Sequence, residues 1–145
     1  MYGKPSPQGS GNGWSGWYKG WFFRSIHELS YMINVIEKNG WKWESGEQKK
    51  FSIPYVDWEG KPRTYFADFV IDGKLLVECK PKRLHKSVAV QSKQKGAIEF
   101  CQKNGLTYQI ECPILLSTDE MKSLHDSKKI TLLDRYEVKY IERYK

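Results

Sequence analysis

Asp68, Glu78 and Lys80 are charged residues set among aromatic and β-branched residues that are typical of two β-strands. Two carboxylates side by side repel each other, and one takes up a proton unless a cation lies between them. A hard divalent ion such as Mg²⁺ prefers carboxylate oxygen and keeps several waters in its shell. A lysine next to such an ion supplies positive charge to an attacking water and to a phosphate. These residue types therefore predict a metal site for phosphoryl chemistry.

The strands that must position these residues are joined at Asp72-Gly73, a strong turn signal. Glu78 and Lys80 share a face in any register, because alternate side chains along a strand point the same way. The face on which the Asp68 side chain lies depends on the length of the loop. A two-residue loop pairs Asp68 with Val77 and turns it away from Glu78, whereas a three-residue loop or a β-bulge puts it on the Glu78 face. The metal site requires the second geometry.

Both faces of the predicted hairpin are largely apolar, as in a sheet sandwiched between helices. With the three-residue loop, the face that holds the charged residues carries Phe66, Asp68, Val70, Leu76, Glu78 and Lys80. A simpler alternative is that Glu78 and Lys80 form a salt bridge on an edge strand, while Asp68 only ends a strand. The spacing alone favours neither interpretation, and the surrounding charge and a family resemblance favour the metal site.

The chain has 145 residues, which fits one domain with a sizeable core. Its 24 Lys and Arg against 17 Asp and Glu give a net charge of +7, which suits a polyanionic partner. No acid occurs between Glu78 and Glu99, and the cations of this stretch are Lys80, Lys82, Arg83, Lys86, Lys93 and Lys95. A phosphate backbone would have to lie beside this run. A solvated basic face is the simpler explanation of the same charges.

The three cysteines Cys79, Cys101 and Cys112 form no CxxC pair and have no histidine at zinc spacing. Free thiols of this kind are typical of a reducing compartment. No stretch approaches the ~18 apolar residues of a membrane span, and the N-terminus lacks the apolar core of a signal peptide. We therefore expect an intracellular, cytoplasmic protein without a membrane partner.

Residues 1–23 are predicted to form an arm, because they are rich in Gly, Pro, Ser and Asn. The aromatic residues of this segment could stack on bases or fold back over the core, and folding back is favoured. They are Trp14, Trp17, Tyr18, Trp21 and Phe22. Residues 24–145 are predicted to form a single folded domain.

A helix is predicted from Ser25 to about Lys38, with Asn39-Gly40 as its stop. Ser25 and Glu28 have the spacing of a capping box, in which Glu28 accepts from the Ser25 backbone N–H. The pattern alone therefore favours a helix cap over a functional role for Glu28.

The remaining elements are predicted as strands at 41–45, 48–56 and 107–112, a helix at 88–103, a short helix from Ser117 and a C-terminal helix. Strand, helix and strand between residues 75 and 112 have the length of a crossover unit. The strand at 107–112 should therefore run parallel to the strand that holds Glu78.

The hairpin resembles the PD-(D/E)XK nuclease superfamily, with Asp68 and Glu78-Cys79-Lys80 at its metal-binding and catalytic positions. Arg24-Ser25-Ile26-His27-Glu28 is similar to the Arg-Ser-x-x-Glu helix start of TnsA-type transposon endonucleases and of phage head-completion nucleases. Lys93-x-Lys95 on a helix that stops at Asn104-Gly105 also fits that branch. The likeness spans about residues 24–112, and Ala67 departs from it by replacing the namesake proline.

The resemblance implies a single restriction-endonuclease-like α/β (α+β) domain, with a central mixed β-sheet flanked by helices on both faces. It also implies that Glu28 completes the acidic cluster, which reverses the preference from pattern alone. The backbone carbonyl of Cys79 would join the metal shell. The residues implicated in DNA binding by their charge or by the resemblance are Lys82, Arg83, Lys86, Gln91, Lys93 and Lys95.

The expected function is a metal-dependent DNA endonuclease of phage or mobile-element type, and a phage-encoded protein would act in a bacterial host cell. Mg²⁺ would be the metal, with Mn²⁺ able to substitute for it. The main alternative is a non-catalytic DNA-binding module that retains the nuclease fold, and a structural protein of a phage particle ranks last. A homodimer or a partner protein is compatible with the sequence, which contains no coiled-coil heptad to indicate one.

Overall fold

Residues 14–145 are described by the computed structural model, and their contacts form two units. The first unit combines the described residues up to Val35 with Ile114–Lys145, and the second is Ile36–Pro113. The predicted arm lies partly outside the described residues, because residues 1–13 are not among them. Helices and strands occur together in both units, which confirms the predicted mixed α/β content.

The described residues contain nine strands and four α-helices. In chain order the strands are β1 (Gly16–Tyr18), β2 (Trp21–Phe23), β3 (Trp43–Ser45), β4 (Ile53–Val56), β5 (Pro62–Tyr65), β6 (Phe69–Ile71), β7 (Leu75–Cys79), β8 (Thr107–Glu111) and β9 (Ile130–Leu132). The α-helices are α1 (Ile26–Tyr31), α2 (Val88–Asn104), α3 (Thr118–Asp126) and α4 (Asp134–Tyr144). A π-helix (Met32–Glu37) continues α1, and short 3₁₀ turns occupy Lys49–Phe51 and Lys82–Leu84. Among these helices, none has both the length and the apolar character needed to cross a membrane.

The first unit contains an antiparallel sheet in the order β2-β1-β9. Trp14 and Tyr18 are buried, and the Trp14 ring lies 6.3 Å from the ring of Tyr140 on α4. These two aromatic residues therefore fold back onto the core of this unit, as favoured from the sequence. Trp17 and Trp21 remain exposed.

The helix α1 begins after Ser25, whose hydroxyl accepts the Glu28 backbone N–H at 3.2 Å. The Glu28 carboxylate accepts the backbone N–H of Arg24 at 3.4 Å, one residue before the donor that the capping box predicted. The predicted hydrogen bond to the Ser25 hydroxyl is thus present, whereas the Glu28 carboxylate accepts from Arg24 instead of Ser25. The helical segment stops at Gly40, whose φ of +64° suits glycine, as Asn39-Gly40 predicted.

The second unit is built on a four-stranded mixed sheet in the order β3-β6-β7-β8. The strands β3, β6 and β7 pair antiparallel, and β8 pairs parallel to β7 after the crossover through α2. The parallel pair was predicted from the length of the segment between residues 75 and 112. The strand β7 is therefore bonded to a neighbour on each side, and Glu78 lies opposite Ile110 of β8.

The predicted strand at 48–56 was wrong in its first half. Lys49–Phe51 forms a 3₁₀ turn, and only Ile53–Val56 is extended. This strand, β4, pairs with β5 in a separate two-stranded sheet instead of joining the central one. Pro54 has no N–H, which fits β4 as a strand bonded on one side only.

The helix α2 packs its apolar face against the central sheet. It begins after Ser87, whose hydroxyl accepts the Val90 N–H at 3.2 Å, and it ends at Gly105, in agreement with the predicted stop. The buried cluster that joins α2 to the strands of this unit consists of Phe51, Ile53, Tyr65, Ala67, Val70, Leu76, Ala97 and Cys101. The core thus lies beneath the face of the hairpin that also holds Glu78.

Gly96 allows α2 to approach β4 closely. A Cβ at this position would lie 2.4 Å from the Tyr55 Cβ and 2.9 Å from the Pro54 carbonyl oxygen. Alanine in a helix is favoured over glycine by about 0.5–1 kcal/mol, but overpacking of a tight contact typically costs about 1–3 kcal/mol. We expect Gly96→Ala to lower the free energy of unfolding in urea, while Gln102→Ala on the exposed side of α2 does not. A Gly96→Ala protein as stable as the parent would contradict this packing.

Candidate active site

The β6–β7 hairpin adopts the geometry on which the metal site depends. Ile71 pairs with Leu75, so the loop between them has three residues, Asp72–Lys74. Asp72 and Gly73 have φ values of +52° and +67°, a left-handed conformation that Asp and Gly tolerate best. Phe69 pairs with Val77 in this register, and its continuation sets Asp68 opposite Glu78. The two acids therefore share one face of the hairpin.

Asp68 is held through both its side chain and its backbone. Its Oδ2 accepts the backbone N–H of Cys79 at 2.8 Å, and its carbonyl oxygen accepts the N–H of Gly46 at 3.3 Å. A Cβ at Gly46 would lie 2.0 Å from the carbonyl oxygen of Ala67, so glycine is required for this close approach. The carboxylate is thus tied to the strand that holds Glu78.

Glu78 is the buried acid of the site, with 7% of its surface exposed. Its Oε1 has no hydrogen-bond partner among the described residues, and its Oε2 lies 3.8 Å from the Lys80 Nζ. Burial, followed by the charge of Asp68, raises the pKa of Glu78 to about 8, whereas Lys80 and Lys93 act in the opposite direction. The side chains around Glu78 therefore compensate the negative charge of its carboxylate poorly.

Lys80 is fixed at the end of β7 by its backbone. Its N–H donates to the Glu111 carbonyl at 2.9 Å, and its own carbonyl oxygen accepts from the His85 Nε2 at 2.9 Å. The side chain of Lys80 is partly exposed, which leaves its ammonium group accessible beside Glu78. Nothing in the spacing of His85 along the sequence indicates this contact with the backbone of Lys80.

Lys93 and Lys95 point in different directions from α2, although they are two residues apart. The Lys93 Nζ lies 5.4 Å from the centre of the Tyr65 ring, and Asp68, Glu78 and Lys80 all act on its pKa. Burial and then the charge of Lys80 lower the pKa of Lys93, and the two carboxylates oppose this effect. Lys95 is exposed and lines a cavity of about 750 Å³ between α2 and the β4–β5 hairpin. The two lysines therefore do not form one surface.

The other residues predicted to contact DNA are exposed. Lys82 and Arg83 lie in the 3₁₀ turn that follows β7, Lys86 lies just before α2, and Gln91 is in the first turns of that helix. Their positions are compatible with backbone contacts, and their role stays a prediction.

Glu28 and the Cys79 carbonyl were assigned to the predicted site only through the family resemblance. Glu28 lies in the first unit, at the start of α1, where its carboxylate accepts the Arg24 N–H. Cys79 is buried in the second unit, and its N–H donates to Asp68. A contribution of either residue to a metal shell stays a prediction.

Asp68 and Glu78 fit a hard divalent cation. The buried Glu78 oxygen without a hydrogen-bond partner is the observation that supports this fit, since buried polar atoms normally have one. Within residues 14–145, no three or more His, Cys, Asp and Glu side chains are grouped to hold a metal. The side-chain donors in the hairpin would be the two carboxylates, and backbone carbonyl and water would complete the shell, as is usual for Mg²⁺.

Comparison with known proteins found a family model that matches part of the chain. Residues 42–111 match the family model described as TnsA-like endonuclease N terminal. The matched segment extends from the residue before β3 to the end of β8 and contains Asp68, Glu78, Lys80 and α2. Searches of curated proteins and of solved structures found no match. Residues 42–111 are thus similar to this endonuclease family, which is consistent with a PD-(D/E)XK nuclease that resembles TnsA.

Proposed function

We propose that this protein is a metal-dependent DNA endonuclease that hydrolyses phosphodiester bonds at the Asp68, Glu78 and Lys80 site. The observation that carries the proposal is the buried Glu78 carboxylate, with an oxygen that lacks a hydrogen-bond partner, on the same hairpin face as Asp68. A protein that only binds DNA gains nothing from two acids that face a polyanion. The match of residues 42–111 to a TnsA-like endonuclease model supports the same class.

Asp68 and Glu78 would hold the metal ion, with the Cys79 carbonyl as a further ligand that the family resemblance implies. When bound, Mg²⁺ polarises a phosphoryl oxygen and lowers the pKa of its bound water. Mn²⁺ is expected to substitute, because it also suits carboxylate, carbonyl and water ligands.

Lys80 would orient the attacking water and offset the negative charge that develops on the phosphate. Its ammonium lies 3.8 Å from Glu78 Oε2 and is partly exposed, so it can meet an incoming phosphate beside the acid pair. The bonds from its backbone to Glu111 and His85 hold the residue in place without using the side chain. The side chain is therefore available for the reaction.

The DNA backbone would contact the exposed basic and polar residues after β7 and on α2, which include Lys82, Arg83, Lys86, Gln91 and Lys95. The net charge of +7 favours binding to a polyanion of any sequence. Phage or mobile-element origin is the biological setting that the resemblance implies. A second copy of the chain or a partner protein would supply a second active site for cutting both strands.

The proposal is tested with supercoiled plasmid incubated with the purified protein in Mg²⁺, in Mn²⁺ and in EDTA. We expect nicked or linear plasmid in either metal and intact plasmid in EDTA. A Glu78→Gln protein purified in the same way controls for a contaminating nuclease. Retardation of the plasmid without products, independent of metal, would support the alternative of a DNA-binding module that does not cut.

A further inference from the structure

Lys93 occupies a core-facing position of α2. Val90, Ala97 and Cys101 are buried at 7%, 0% and 3% exposure, and their spacing defines the helix face that packs on the sheet. Lys93 lies on this face, three residues after Val90 and four before Ala97. Burial of an ammonium group at such a position costs free energy unless the group is compensated. The lysine is therefore poorly explained as a residue that only supports the fold.

The surroundings of Lys93 are those of the candidate active site. Its ammonium lies 5.4 Å from the centre of the buried Tyr65 ring, within range of a cation–π interaction. The charges of Asp68, Glu78 and Lys80 all act on it. The half-buried Lys93 thus shares its electrostatic environment with the two acids, whereas Lys95 is exposed beside the cavity.

Charge balance indicates what this second ammonium group does. The two carboxylates, Lys80 and the divalent cation of the proposed site sum to +1 in formal terms. Addition of Lys93 raises this formal charge to +2 beside the place where a phosphate must lie. A cation that approaches the acid pair from α2 therefore favours the entry of an anion that must lie against two acids.

We propose that the Lys93 ammonium group contacts the phosphate that is cut, so that α2 contributes a catalytic residue in addition to Lys80. This inference rests on the proposed endonuclease function and gives Lys93 a role separate from general contacts to the DNA backbone. Tyr65 acts as a positioning residue, because its ring lies beside the ammonium and limits where it can lie.

The test is Lys93→Met, which keeps an unbranched apolar side chain and removes the charge. Lys103→Met is the matched control, since Lys103 is an exposed lysine at the far end of the same helix. We expect the single-turnover rate of plasmid cleavage, at saturating protein in Mg²⁺, to fall by about 100-fold or more for Lys93→Met. The control should cleave at the parent rate. Thermal melting should show that the Lys93→Met protein is folded at the temperature of the assay.

Equilibrium binding to a short DNA duplex in EDTA gives a readout that is independent of cleavage. Loss of one phosphate contact should reduce the slope of log affinity against log salt by about 0.9 for Lys93→Met, with no change for Lys103→Met. An unchanged slope would overturn the inference. So would a reduced slope with a parent-like rate at saturating protein, because Lys93 would then be an ordinary backbone contact.

Failure of this inference is distinguishable from failure of the proposed function. A parent protein that cuts plasmid in neither metal refutes the endonuclease proposal and the role of Lys93 with it. An active parent with an active Lys93→Met variant refutes only the role of Lys93. If the methionine variant does not fold, Lys93→Gln removes the same charge, and the same rate and slope decide the question.

Discussion

Glu78→Gln is expected to abolish plasmid cleavage and, in the absence of metal, to make the protein more stable. The amide keeps the shape of the side chain but removes the negative charge that would hold a cation. It also removes a buried carboxylate that has one oxygen without a hydrogen-bond partner. Because the pKa of Glu78 is raised in the folded protein, its ionised form lowers the stability of the fold, and the amide removes this effect. The expected outcome is thus a loss of activity together with a gain in stability.

The gain in stability should depend on pH with a definite sign. The ordinary pKa of a glutamate is 4.5, and burial and Asp68 raise the pKa of Glu78 to about 8 in the folded protein. The unfolded state therefore loses its proton at lower pH than the folded state, and the parent protein loses stability as the pH rises through this window. Below pH 4.5 the Glu78 carboxyl is protonated in both the folded and the unfolded state. Its charge should then cause no difference in stability between the parent and the variant.

Urea unfolding in EDTA at pH 5 and pH 8 measures this difference. We expect the advantage of Glu78→Gln over the parent to grow between the two pH values. Glu59→Gln is the control, because Glu59 is an exposed carboxylate in the same unit. A Glu78→Gln protein that is less stable than the parent at pH 8 would show that the carboxylate is well compensated.

Lys80→Ala is expected to fold and bind DNA but to cut it very poorly. Loss of an electrostatic donor at a reacting group typically costs about 100-fold or more in rate. The fold should persist because Glu111 and His85 bond to the backbone of Lys80, which alanine retains. The measurement is the single-turnover rate of plasmid cleavage, together with DNA binding in EDTA.

Lys74→Ala is the matched control for Lys80→Ala. Lys74 is an exposed lysine in the loop of the same hairpin, away from the end that holds Glu78 and Lys80. Its replacement removes one positive charge without touching the acid pair, so the rate should stay at the parent level. Cleavage by Lys80→Ala at the parent rate in Mg²⁺ would rule out the assigned role of Lys80.

The hairpin shows how far the sequence could predict the site. Its strands, its turn and the common face of Glu78 and Lys80 followed from residue types and from the period of a strand. The side on which Asp68 lies did not follow, because Asp72-Gly73 fits both a two-residue and a three-residue loop. The left-handed conformation of Asp72 and Gly73 and the inclusion of Lys74 in the loop decide the register.

The helix α2 shows a signal that the sequence contained but that was not used. Lys93 and Lys95 were treated together as DNA contacts, because both are basic and close in the chain. The helical spacing of Val90, Ala97 and Cys101 would have set Lys93 on the buried face and Lys95 elsewhere. The contact between His85 and the Lys80 carbonyl had no such signal, since it depends on the path of the 3₁₀ turn.

The three-residue loop has a consequence for recognising active members among similar sequences. Residues directly opposite in a hairpin share a face, so two acids an even number of positions apart meet only when the tip has an odd number of residues. A homologue with the same Asp and Glu-x-Lys letters but one residue fewer at the tip would send its first acid to the wrong side. Whether the loop has an odd or an even number of residues is thus as informative about catalytic activity as the identity of the motif residues.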